Sequence, residues 1–99
     1  MPRDERRTAG GPYKRTPVFD QDTLPKGLRR EHRTKAGVWA LIHVLEGRLR
    51  YRTLDPPSET VLTPEKPGII QPEQPHEVEP LGSMRMFVEF YAVEDPPAA

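Results

Sequence analysis

The run Val38–Leu45, VWALIHVL, constrains this chain more than any other stretch. It is apolar apart from His43, it is bounded by Gly37 and Gly47, and its length suits a strand better than a helix. Strand alternation puts Trp39, Leu41, His43 and Leu45 on one face and Ala40, Ile42 and Val44 on the other, so both faces need cover. Glu46-Gly47 reads as a turn. Beyond it Leu49 and Tyr51 alternate with Arg48, Arg50 and Arg52. That order predicts a β-hairpin whose first strand is buried and whose second has one face in water.

Turn chemistry punctuates the rest. Tyr13–Phe19 reads as a short edge strand, because Pro17 lacks a ladder donor, and Asp20–Gly27 as a turn. Leu28–Arg33, Glu59–Thr63, Ile69–Gln71, His76–Val78 and Met84–Val93 are the remaining predicted strands. No segment carries a helical period. Several short strands between turns predict an all-β fold of two antiparallel sheets, a barrel or sandwich with Ala40, Ile42 and Val44 lining it. The polar stretch 1–12 and the tail 94–99 are expected to be disordered, leaving one domain over 13–93.

Composition allows this and excludes other classes. The chain is 34% hydrophobic and 30% charged with 13 prolines, but its net charge is zero and its apolar residues are gathered in runs. A folded centre of 99 residues supports one modest core. Cysteine is absent, which removes disulfides and thiolate ligands. The opening MPRDERRTAGGPYKR has no apolar core of signal-peptide length, and no run approaches a membrane span. A cytoplasmic chain without a membrane partner is expected.

The zero charge hides an asymmetry. Residues 1–59 hold 13 Lys/Arg against 8 Asp/Glu, and residues 60–99 hold 2 against 7. A basic patch for nucleic acid around Lys26, Arg29, Arg30, Arg33 and Lys35 is the minority reading, because a pI near 6.8 is far from that of a nucleic-acid domain. Neutralisation of one half by the other, or by a second subunit, is expected instead. Arg48, Arg50 and Arg52 then form a solvated strand face that blunts edge pairing.

Two spaced motifs carry a resemblance. Gly27, His32 and Gly47 match the ends of one pattern, and Gly68, Pro72 and His76 match most of a second. Together they resemble the cupin motifs. GLRREHRTKAGVWALIHVLEGRLRY, QPEQPH and FVEFY resemble more closely the small cupins of the tellurite-resistance protein B-like family. The resemblance implies a cupin fold, a double-stranded β-helix or jelly-roll barrel. Members of that family occur as single proteins or as an N-terminal domain fused to a methyltransferase. No methyltransferase nucleotide-binding segment is present up to Ala99, so a small stand-alone cupin is expected, without the activity of the fused relatives.

Two of the four usual cupin metal ligands are missing, since Arg33, Thr34 and Lys35 follow His32 and Ala40 stands at the usual glutamate. His32, His76 and Glu89 remain as candidate ligands of a divalent metal such as Zn, Fe, Mn or Ni, leaving open coordination positions. Glu89 qualifies if its strand face lines the barrel, where a carboxylate is costly without a cation. The alternative turns it outward toward an arginine of the first half. His43, on the Trp39 face, reads as a packing or interface histidine. The expected function is binding of a small molecule or anion, through that metal, in chemical or oxyanion stress. The alternatives are a metal-dependent enzyme of the non-haem iron kind and a metal-free binding or interaction module. Because Val38–Leu45 is apolar on both faces, a homodimer with Trp39, Leu41 and His43 near the contact is also expected.

Overall fold

A strand that is apolar on both sides needs a sheet neighbour at each edge and a layer over each face. In a computed structural model, which describes residues 12–29 and 37–92, the chain supplies both neighbours from far along the sequence. The elements are β1 (Lys14–Arg15), β2 (Phe19–Asp20), a 3₁₀ turn (Lys26–Arg29), β3 (Val38–Glu46) and β4 (Leu49–Leu54). They continue with β5 (Pro57–Leu62), β6 (Gly68–Ile70), β7 (His76–Pro80) and β8 (Arg85–Ala92). One sheet has the order β1-β8-β3-β6, with β2 also on β8; the other has the order β5-β4-β7. Every pairing is antiparallel. The fold is thus all-β with two antiparallel sheets, and among the described residues no helix is long and apolar enough to cross a membrane.

The hairpin expected around Gly47 does not form. β8 runs along one edge of β3 and β6 takes the other, so no edge is left for β4, which pairs with β5 and β7 in the second sheet. Gly47 and Arg48 turn the corner between layers. Gly47 has φ +76°, and a Cβ there would stand 2.2 Å from the Ser83 carbonyl oxygen, so only glycine fits. Just before the corner the β3–β8 register shifts between Val44 and Glu46, a bulge that strengthens the local twist.

The core lies between the layers. Ala40, Ile42 and Val44 of β3 face it as expected, joined by Met86 and Val88 of β8 and by Leu49, Leu62 and Val78 of the second sheet. Full burial of such a side chain stabilises by about 1.5–3 kcal/mol. Asp20 holds the turn that carries buried Leu24 inward. Its Oδ1 accepts the backbone N–H groups of Asp22 at 2.8 Å and Thr23 at 2.9 Å, which hold its carboxyl below the usual range.

Other expectations shift in detail. The predicted edge strand Tyr13–Phe19 splits around Pro17 into β1 and β2, both on the edge of β8. Leu28 and Arg29 lie in the 3₁₀ turn rather than in a strand. Arg30 to Arg33, with His32, lie outside the described residues, as do Val93, the tail 94–99 and all of the 1–12 arm but Pro12. β4 is the centre of its sheet, so its arginines do not guard an edge. Instead Arg50 reaches Glu79 at 2.6 Å and Arg52 reaches Glu77 at 2.5 Å, and both approach Glu59 at 3.4 Å. The pairs with Glu77 and Glu79 set the basic half against the acidic half.

Candidate functional site

Polar chemistry gathers in two places, one on each side of the β3–β8 sheet. Alternation on β8 turns Met86 and Val88 inward, and therefore Phe87, Glu89 and Tyr91 outward. The antiparallel register sets Trp39 opposite Tyr91, Leu41 opposite Glu89 and His43 opposite Phe87. Arg15 stands opposite Glu89 from the other side. Glu89 is buried although it is on the outer face, because these neighbours close over it. Its oxygens accept from Arg15 at 2.8 Å, from His43 Nε2 at 2.8 Å and from the Tyr91 hydroxyl at 3.3 Å. Burial alone would push this carboxyl up; the Arg15 guanidinium and the His43 ring outweigh it and hold the group below the usual carboxylate range. Burial, and then the Glu89 carboxylate, push the Tyr91 phenol up. Ring contacts complete the patch. Trp39 stacks on Tyr91 at 4.2 Å, His43 on Phe87 at 4.9 Å, and Arg15 lies 4.8 Å from the Phe87 centroid.

The second place lies between the layers. Tyr51, Thr53 and His76 face inward from the second sheet, and the His76 ring meets Tyr51 edge-on at 6.0 Å. His76 Nδ1 is 2.9 Å from the Gln74 carbonyl, which fixes that nitrogen as the N–H donor. Tyr51 donates to the Ile69 carbonyl at 3.0 Å and so ties one sheet to the other; burial pushes its phenol up to about 12. Thr53 donates to the Pro56 carbonyl at 2.8 Å, leaving Ser58 to donate to Thr53 at 2.6 Å. Beside them a cleft of about 430 Å³ opens between β5 and β6. Its lining includes Leu62, Lys66, Gln71 and Gln74, and holds one cation and no carboxylate.

Of the sequence-predicted ligands, His76 and Glu89 are not brought together. Glu89 takes the outward alternative and meets Arg15, while His76 points into the core from the other sheet. His32 lies outside the described residues. Among the described residues no group of three or more metal-ligating side chains could hold an ion. The outward alternative named an arginine of the first half, but not that it is Arg15 or that His43 joins it. The signal that finds them is register, since residues opposite on neighbouring strands share a face.

The architecture defines a small all-β domain with two antiparallel sheets. The chain belongs to the TehB-like domain family, whose profile matches residues 14–88. It is 36% identical over 74 residues to a Haemophilus influenzae Rd protein named as a probable S-adenosyl-L-methionine-dependent methyltransferase TehB. The match covers 70% of this chain and 26% of that protein. The protein of the same name from strain 10810 is 35% identical over the same length. The crystal structure of TehB from Haemophilus influenzae superposes with a TM-score of 0.76 at 32% identity, over 82% of this chain and 30% of that one. A protein of Escherichia coli K12, 21% identical with a TM-score of 0.72, covers 84% of this chain and 91% of its own and shares the fold.

These relatives correct the expected function. Their name points to methyl transfer with S-adenosyl-L-methionine, not to a stand-alone metal-binding cupin, and the expected divalent metal cofactor is withdrawn with it. The chain spans about a quarter of the length of those curated relatives, at 26%. S-adenosyl-L-methionine does not fit the cleft between β5 and β6. It carries a cationic sulfonium, an ammonium and a ribose diol, and sites for such nucleosides set a carboxylate on the ribose at the crevice of a parallel sheet. The cleft offers Lys66 and no carboxylate, in an antiparallel fold.

Proposed function

We propose that this chain acts in S-adenosyl-L-methionine-dependent methyl transfer of the TehB kind, as the β domain that accompanies the methyltransferase portion rather than as the cofactor site itself. The observation that carries the reading is the 36% identity to a named methyltransferase over a stretch that is only 26% of that protein. The poor fit of the cleft to the cofactor supports the same division of labour, with the donor held by the other three quarters of such an enzyme. The reading takes residues 13–93 as the domain. It also takes the two layers as one jelly roll. The pairing of strands 1 with 8, 3 with 6 and 4 with 5 supports that reading, with β2 departing from it by lying on β8. S-adenosyl-L-methionine is a cytoplasmic metabolite, so the reading keeps the chain in the cytoplasm.

Labelled S-adenosyl-L-methionine tests the division. The chain is incubated alone, and then with the part of Haemophilus influenzae TehB outside the matched stretch, and each sample is passed over a sizing column. The chain alone should retain no label, and the mixture should co-elute with label bound. Retention by the chain alone would make it the cofactor binder. Failure to co-elute would remove the accompanying role.

A further inference from the structure

The two outer faces of this protein differ in kind. On the second sheet the outward row of β4 is Arg50 and Arg52, each held between glutamates of β5 and β7, a lattice of ion pairs suited to water. On the first sheet the outward residues are Trp39, Leu41 and His43 of β3, Phe87, Glu89 and Tyr91 of β8, with Ile69 and Arg15 at the sides. Its charge lies in two closed pairs, Arg15 with Glu89 and, at the start of β8, Arg85 with Glu46. Tryptophan, tyrosine and arginine around a desolvated polar centre are the composition of a binding hot spot rather than of a solvated sheet face.

We infer that this face pairs with the same face of a second copy of the chain. Two features select a copy over an unlike partner. The patch carries no net charge, so two copies approach face to face without long-range repulsion. It is also balanced about its centre. The Trp39–Tyr91 pair stands two residues to one side of the Leu41–Glu89 row, and the His43–Phe87 pair stands two residues to the other. A two-fold axis along that central row lays each stacked pair of one copy over the different stacked pair of the other. That is the self-complementarity an isologous contact requires. With β3 and β8 of 9 and 8 residues and the short β1, β2 and β6 beside them, strands at about 3.4 Å per residue and about 4.8 Å spacing give a face of roughly 400 Å². This is below the ~800 Å² per partner of a standard interface, so the dimer should dissociate on the order of micromolar concentration.

Sedimentation of the intact chain from about 1 to 500 μM tests this, with the emission of Trp39, the only tryptophan, read on the same samples. The mass should rise from 11.3 kDa to twice that value, with Trp39 emission shifting to the blue as it does. Leu41→Lys puts an ammonium on the axis from an outward position and should hold the chain monomeric with constant emission. Ile69→Lys, in the same row on β6, gives a second reading should the first variant fold poorly, and should weaken association at least tenfold. A wild-type chain that stays monomeric throughout overturns the inference, as does a dimer untouched by both lysines. Monomers whose Trp39 emission shifts only on adding the remaining part of Haemophilus influenzae TehB also overturn it and give the face to that portion.

Discussion

Replacement of Gly47 by alanine tests how the two layers are joined. The new Cβ must adopt φ +76°, where an L side chain costs about 1–2 kcal/mol. It must also clear the Ser83 carbonyl oxygen at 2.2 Å and the Met84 Cβ at 2.9 Å, neither of which can rotate away. Forcing a methyl group into a filled space adds roughly 1–3 kcal/mol. The sum, about 2–5 kcal/mol, is a large fraction of the ~5–15 kcal/mol that holds a typical domain together. At ~4–8 °C per kcal/mol for a small domain, Tm should fall by at least ~8 °C. Gly82→Ala is the control. Gly82 has φ +86° but nothing within 4 Å of a new Cβ, so it should lose only the backbone part. Urea titrations followed by Trp39 fluorescence give both free energies, the gap between them reporting the contact with Ser83. Two variants equal within about 0.5 kcal/mol would refute the argument that this corner is sterically closed.

Further expectations concern the core, the outer face and the tie between layers. Ile42→Ala, at a side chain 1% exposed between the sheets, should cost about 2–5 kcal/mol by urea titration. Glu89→Gln should cost about 1–3 kcal/mol at pH 7, because its charged acceptors serve Arg15 and His43. The folded carboxyl lies below its unfolded value near ~4.3, so this stabilisation is present above that pH and is lost as pH falls through the folded value. The gap between wild type and Glu89→Gln should therefore close on acidification below about pH 4; a gap unchanged at pH 2 would assign the effect to packing. Tyr51→Phe removes the bond to the Ile69 carbonyl and should cost about 1 kcal/mol. The same change should delete the phenol that titrates at about 12 in an ultraviolet difference spectrum.

Much of the fold was legible because one run is apolar on both faces. The alternation in Val38–Leu45 assigns Ala40, Ile42 and Val44 to the core, where they lie. What the run does not contain is the identity of its neighbours. Glu46-Gly47 has hairpin chemistry, and only the occupation of both β3 edges by β8 and β6 sends β4 into the other sheet. The site was less legible for the same reason. Nothing local to FVEFY tells whether Glu89 faces the core, because both faces of that strand are apolar and aromatic. The choice follows from pairing with β3, and Arg15 reaches it from 74 residues away. The stacked rings around it likewise depend on which residue stands opposite which, a long-range property that the periodicity of a single strand does not carry.

The distance between β3 and its central neighbour also orders the way the chain acquires its structure. The β4–β5 pairing is local and closes a short loop. The β3–β8 pairing joins residues such as His43 and Glu89 that are 46 positions apart, and its loop must be ordered before any contact rewards it. During synthesis at ~5–20 residues per second, β3 leaves the ribosome seconds before β8 exists. For that interval the most apolar strand of the protein has an open edge and two uncovered faces. A nascent or truncated chain that stops short of β8 is therefore the species from which intermolecular strand pairing should start, and β3 is the segment through which chaperones or neighbouring nascent chains would first capture it.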